Sequence, residues 1–242
     1  MVRNIGLKLG RVRVLHAIAR GCLVALLCAS CDGTNRGVYV VVIDPGHGGA
    51  NIGAVTSEGL REKDLTLDVG LRLQELLSHR TDVRVVLTRT EDRALGLWDR
   101  RDASNDNRAD LFVSIHFNRS RNKTVNRAEV FYSSNASREP AQTFGEMVDL
   151  AVGSHHSLVQ KVHWTVLWKN RARLGAMLVE VMYLSHPAAD EFLADIENRD
   201  VIAQGLQRAV DTLLAAETHR RATRPKNGIF SSLANLLRIG GR

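Results

Sequence analysis

Beyond residue 31 this chain has no cysteine. Its three cysteines, Cys22, Cys28 and Cys31, all fall in the first 31 of 242 residues. A disulfide framework is therefore excluded from the body, which must hold together by burying a core. Aromatic residues are scarce, at 5%. No aromatic platform is interleaved with the basic residues, and no nucleic-acid motif is present. The net charge of +7 then points to other anionic surroundings, namely membrane lipid or a cell-wall polymer. Internal repeats are missing. The longest apolar run, GCLVALLCAS at 21–30, is too short to span a bilayer.

That run has a different use. Arg3, Lys8, Arg11 and Arg13 precede it, as in the positive n-region of an export signal. CAS-Cys31 also fits a lipoprotein processing box, with Cys28 where leucine is usual; on that reading Cys31 is lipidated and contacts the membrane. The rival reading is an amphipathic or disordered extension of a cytoplasmic protein. The expected organisation is a signal peptide at 1–31, a linker at 32–37, a catalytic domain at 38–216 and a basic tail at 217–242. Phe230, Leu233 and Leu237 give the tail helical spacing beside its basic residues, suited to an anionic surface. The alternative is a frayed terminus.

Within 38–216, apolar runs alternate with amphipathic stretches. Strands are expected at 38–43, 83–89, 111–117, 129–134, 163–169 and 176–183. Helices are expected at 63–79, 95–107, 139–152, 187–194 and 198–216. The first helix carries Leu65, Val69, Leu73 and Leu76 at helical spacing. This order predicts a single α/β domain: a mostly parallel twisted sheet of about six strands, with helices on both faces.

The first strand ends in DPGHGG (44–49), where His47 sits among glycines. Open α/β sheets carry their chemistry just past such strand ends. Glu62 precedes the first helix, and His116 ends the strand ADLFVSIHFN. Two histidines and a glutamate with a free fourth position suit a catalytic zinc. Glu180 lies inside the apolar run GAMLVEVMY. Burying it is costly unless it is paired or working. Taken singly, each has a structural alternative. His47 would be a turn histidine, Glu62 a helix-start carboxylate or a partner of Lys63, and His116 a satisfied core histidine. Glu180 would pair with Arg171 or Arg173. Arg89, Arg93 and Arg100 are read as structural pairs, and Asn118 as a group that orients a ligand or substrate. His155, His156, His163 and His186 are read as bland.

The segments DPGHGG, GLREKDLTLDV (59–69), LTRTEDR (87–93), ADLFVSIHFN (109–118), AEVFY (128–132) and LVEVMYLSHP (178–187) run in a familiar order. The sequence resembles the zinc-dependent N-acetylmuramoyl-L-alanine amidases of the amidase_3 family over roughly residues 37–216. The resemblance implies one Zn2+ held by His47, Glu62 and His116, with Glu180 as the catalytic glutamate. It implies peptidoglycan as substrate, cleaved between the lactyl group and L-alanine, in the periplasm or cell envelope. In some family members an inhibitory helix is inserted near the His116–Glu129 segment, and the short RSRNKTVNR here implies no such plug. Two alternatives stand: a non-catalytic wall-binding or regulatory homologue, and a zinc peptidase cutting a different bond. Neither a separate wall-binding module nor an activator protein can be named from the sequence.

Overall fold

The computed structural model describes residues 37–224. The expected signal segment, Cys31 and the apolar stretch at 230–239 lie outside the described residues. Six strands form one sheet in the order β2-β1-β3-β6-β4-β5. They are β1 (Tyr39–Pro45), β2 (Val83–Leu87), β3 (Leu111–Asn118), β4 (Glu129–Tyr132), β5 (Leu158–Lys161) and β6 (Gly175–Tyr183). All pairs are parallel except β4 with β6.

The central strands are apolar almost throughout because both faces are covered. On one face Val41, Ile43, Leu111, Val113, Ile115, Met177 and Val179 meet the long helices. These are α1 (Glu62–Ser78), α3 (Arg138–Val152) and α5 (Ile196–Thr223). The apolar stripe of α1 is Leu65, Val69, Leu73 and Leu77, each nearly inaccessible. Truncating one such leucine to alanine costs about 2–5 kcal/mol. On the other face a smaller core joins Val40, Val42, Phe112 and Leu178 to Val166 and Leu167. There the helical cover is the shorter α2 (Leu97–Asp106), whose Arg100 reaches Asp44. A third, short helix, α4 (Ala189–Ala194), precedes α5.

Two expected elements need correction. Residues 163–169 are not a strand; the fifth strand is 158–161. Trp168 N–H donates to the Trp164 carbonyl at 2.8 Å, closing a turn. Val166 and Leu167 are both buried while Trp164 and Trp168 are both exposed. That pattern is not the period of two that a strand requires. The boundary at 216 also falls inside α5, which runs unbroken to Thr223. Glu217 explains the continuation: it pairs with Arg221 one turn on and with Arg173 before β6.

Strand register fixes the site. In β1–β3, Asp44 lies opposite Ser114, and in β3–β6, His116 lies opposite Glu180. Just past that pair the register slips, with Asn118 opposite Tyr183. The extra residue is on β6, a bulge at the chemical end of the sheet. Between β3 and β4, residues 119–128 contain no helix.

Candidate metal centre and catalytic carboxylate

The turn after β1 presents His47 in a left-handed conformation, φ 59°. Such a backbone must be held from outside. Two buried arginines hold it. Arg100 donates to the carbonyls of Pro45 (2.7 Å) and His47 (2.6 Å) and to Asp44 Oδ1 (2.8 Å). Arg89 donates to the carbonyls of Pro45 (2.9 Å), Gly46 (2.8 Å) and Lys63 (2.7 Å). Asp44 is wholly buried and also accepts from the hydroxyls of Thr88 (2.6 Å) and Ser114 (2.7 Å). Arg100 is thus the structural pair expected. Among the described residues Arg89 and Arg93 form no ion pair: Arg89 grips carbonyls, and Arg93 donates to the Thr88 carbonyl.

Three donor atoms meet above this turn. His47 Nε2 lies 2.8 Å from Glu62 Oε1, and His116 Nδ1 lies 3.0 Å from the same oxygen and 3.2 Å from His47 Nε2. Among the described residues this trio is the one His/Cys/Asp/Glu group close enough to hold a metal ion. Tetrahedral ligands at about 2.0–2.1 Å from zinc stand about 3.3 Å apart. The observed spacings are close to that, and the donor set suits the ion. Outer contacts orient each ligand. Asn51 Oδ1 faces His47 Nδ1 at 2.8 Å. Glu62 accepts from the backbone N–H groups of Ala54 (2.8 Å) and Phe117 (3.0 Å). Gly46 packs so closely under His116 that a Cβ there would lie 2.4 Å from the imidazole. Lys63 is not a partner of Glu62; it reaches Asp92 at 2.6 Å.

The electrostatics follow from this crowding. Burial alone would raise the Glu62 carboxyl, but hydrogen bonds and charge from His116 and His47 bring it down to about 2. Burial pulls His47 down, and Glu62 outweighs it, so its net shift is upward. Glu180 moves the other way. Burial first, then the charges of Glu62 and Glu129, push it up to about 8. Its Oε2 is buried with no hydrogen-bond partner among the described residues. It has no arginine: Arg173 pairs with Asp110 (2.7 Å) and Glu217 (2.5 Å), and Arg171 meets Asn105 through its backbone N–H. A half-buried glutamate with one buried, unpartnered oxygen, beside the His47–Glu62–His116 trio, is a functional-site signature.

Several contributors escaped the sequence reading. Asn51 lies four residues after His47, a spacing that carries no signal by itself. The Asp44–Arg100–Ser114 network joins residues 56 and 70 positions apart. Asn118 donates to Glu129 Oε2 at 3.1 Å, so it orients that carboxylate. His155, His156, His163 and His186 take no part in the trio. A cavity of about 210 Å³ opens from His47 and His116 toward Leu97 and Trp164.

Residues 41–212 match the profile of the family described as N-acetylmuramoyl-L-alanine amidase, Amidase_3. The chain belongs to this amidase family. Over 79 residues it is 47% identical to the sporulation-specific N-acetylmuramoyl-L-alanine amidase of Bacillus subtilis (strain 168), covering 32% of this chain and 31% of that protein. The chain spans between about a third and two fifths of the length of the first curated relatives it matches. Agreement with solved structures is broader. The catalytic domain of CwlV, an amidase from Bacillus (Paenibacillus) polymyxa var. colistinus, superposes with TM-score 0.69 at 31% identity, covering 74% of this chain and 99% of that one. An amidase from Clostridium difficile 630 gives 0.68 at 31% identity, with 74% and 98% covered. The six-stranded, mostly parallel α/β domain is thus that of the amidase family.

Proposed function

We propose that this member of the amidase family hydrolyses the amide between the lactyl group of N-acetylmuramic acid and L-alanine in peptidoglycan. In this reading His47, Glu62 and His116 hold one zinc ion. When bound, zinc supplies Lewis-acid chemistry at the scissile amide and its attacking water. The chain's residues do the rest. Glu62 stays ionised and fixed by two backbone N–H groups, and Asn51 fixes the His47 ring. Glu180 takes a proton from the attacking water and returns it to the departing alanine nitrogen. Burial raises the Glu180 carboxyl, and a bound dication would lower it, so the group would be ionised to accept the water's proton and able to return it. The observation that carries this reading is the register pairing of His116 with Glu180, whose buried Oε2 lacks a partner.

A non-catalytic homologue fits less well, since all four groups converge. A zinc peptidase would use the same groups, and its products would differ. Purified muropeptides digested with and without a chelator decide the matter. Free L-alanine N-termini are expected, lost on chelation and restored by zinc. A different new terminus would favour the peptidase. With this substrate we place the protein in the cell envelope after export, acting in wall remodelling or daughter-cell separation. Removal of residues 1–30, which leaves Cys31 as the lipidated first residue, is part of the same proposal; mass spectrometry of the native protein tests it.

A further inference from the structure

A second and larger cavity, about 550 Å³, shares no lining residue with the tryptophan-side cavity. It is lined by Arg119, Arg121 and Lys123, and by the hydroxyls of Ser57, Ser120 and Ser185. Its lining residues include no carboxylate, and at its edge Asp190 accepts from the Ser57 hydroxyl and the Glu58 N–H. None of the three cations is in an ion pair among the described residues. Its walls continue the elements that carry the site. Arg119 follows His116 by three residues, Ser185 follows Glu180 by five, and Ser57 precedes Glu62 by five. Two bonds tie the walls together: Leu184 N–H to the Asn118 carbonyl (2.8 Å) and Ser120 N–H to Ser185 Oγ (3.0 Å).

We propose that this pocket binds carboxylate groups carried by the peptide on the alanine side of the scissile amide. The proposal rests on the amidase reading and adds an orientation to it. The volume suits a short peptide. Three cations outside any ion pair among the described residues, with the Ser120 and Ser185 hydroxyls free to donate, suit carboxylates; the Ser57 hydroxyl is taken by Asp190. The smaller cavity cannot take that role. Its lining includes Leu95, Leu97, Trp164 and Leu178. Its cation, Arg100, is spent on Asp44 and two carbonyls, and nearby Arg101 pairs with Asp102 and lies over Trp98. The peptide therefore runs toward Arg121, and the saccharide takes the tryptophan side.

The test compares the full-length, zinc-loaded protein with its Arg121→Ala/Lys123→Ala variant. Each hydrolyses a muramoyl peptide with free carboxylates and the same peptide with those groups amidated. Exposed charge pairs are individually weak, so the pair of substitutions should raise KM about fivefold on the acidic substrate. The kcat should stay within about twofold, and KM on the amidated substrate should not move. An unchanged KM on the acidic substrate, or an equal rise on both, overturns the proposal. A second arm needs no turnover: calorimetry of the full chain with the released acidic peptide. Binding should weaken about fivefold in the variant, and also between about 0.05 M and about 0.3 M salt, where exposed charges are screened. No binding by the wild-type protein overturns the proposal. Binding without turnover keeps the pocket and removes the amidase reading.

Discussion

Arg100→Met is the most informative perturbation of the turn that carries His47. It keeps much of the side-chain volume and deletes the guanidinium. Arg100 is 4% exposed and Asp44 is fully buried, so no water replaces the lost cation. Removing one partner of a buried pair costs about 3–5 kcal/mol. Asp44 keeps two hydroxyl donors, Thr88 and Ser114, which puts the loss at the low end, about 3 kcal/mol. In a domain of this size that is a fall in Tm of roughly 6–12 °C. A second effect falls on the site. The His47 carbonyl loses its 2.6 Å donor, so the left-handed turn loosens under the imidazole. Outer-contact changes of this kind cost about 10–100-fold in metal affinity. Urea unfolding of the metal-free protein measures the first effect, and competition with a zinc indicator measures the second. Adding Asp44→Asn removes the stranded charge and should recover most of the stability without the zinc affinity. A stability loss below about 1 kcal/mol together with unchanged zinc affinity would falsify the claim that this pair holds the turn.

What could be read from the sequence divides along a physical line. Local patterns survived: the leucine stripe of α1, the apolar runs of β1, β3 and β6, and the singling out of His47, Glu62, His116 and Glu180, which the structure brings to one end of the sheet. Each is encoded within a few residues by periodicity or by an unlikely residue in an apolar run. The misreadings came where tertiary partners decide. The run HWTVLWK has strand-like composition, yet Val166 and Leu167 both turn toward the smaller core. The end of α5 looks like a basic tail until Glu217 meets Arg173, 44 residues away. Arg89 reads as an ion-pair residue because nothing local says that its partners are carbonyls. Asn51 carries no signal until the fold sets it against His47 Nδ1. The placement of Glu180 beside His116 depends on parallel register, which no single segment contains.

The other predictions test the site and the domain end. His116→Ala should remove metal and activity together in elemental analysis and turnover; full activity without zinc would defeat the metal reading. Glu180→Gln should keep zinc and fold while kcat falls on the order of 10²–10⁴-fold; an unchanged kcat would mean that another group moves the proton. A chain ending at Ala216 should be less stable than one ending at Arg224, because it loses the Glu217 bond to Arg173 and the Thr218 bond to Tyr39, at 2.9 Å; equal urea midpoints would show that neither contact matters. Gly46→Ala isolates geometry from chemistry. Gly46 is not in the left-handed region, so alanine suits its backbone. The strain falls on one neighbour: the new methyl would stand 2.4 Å from His116 Cε1 and Nε2. The imidazole must swing aside, taking Nδ1 out of the cluster while every ligand residue remains in the chain. Zinc affinity should therefore fall toward that of His116→Ala, while the secondary structure seen by circular dichroism holds. Wild-type zinc affinity in Gly46→Ala would mean that the His116 ring has room the structure does not show.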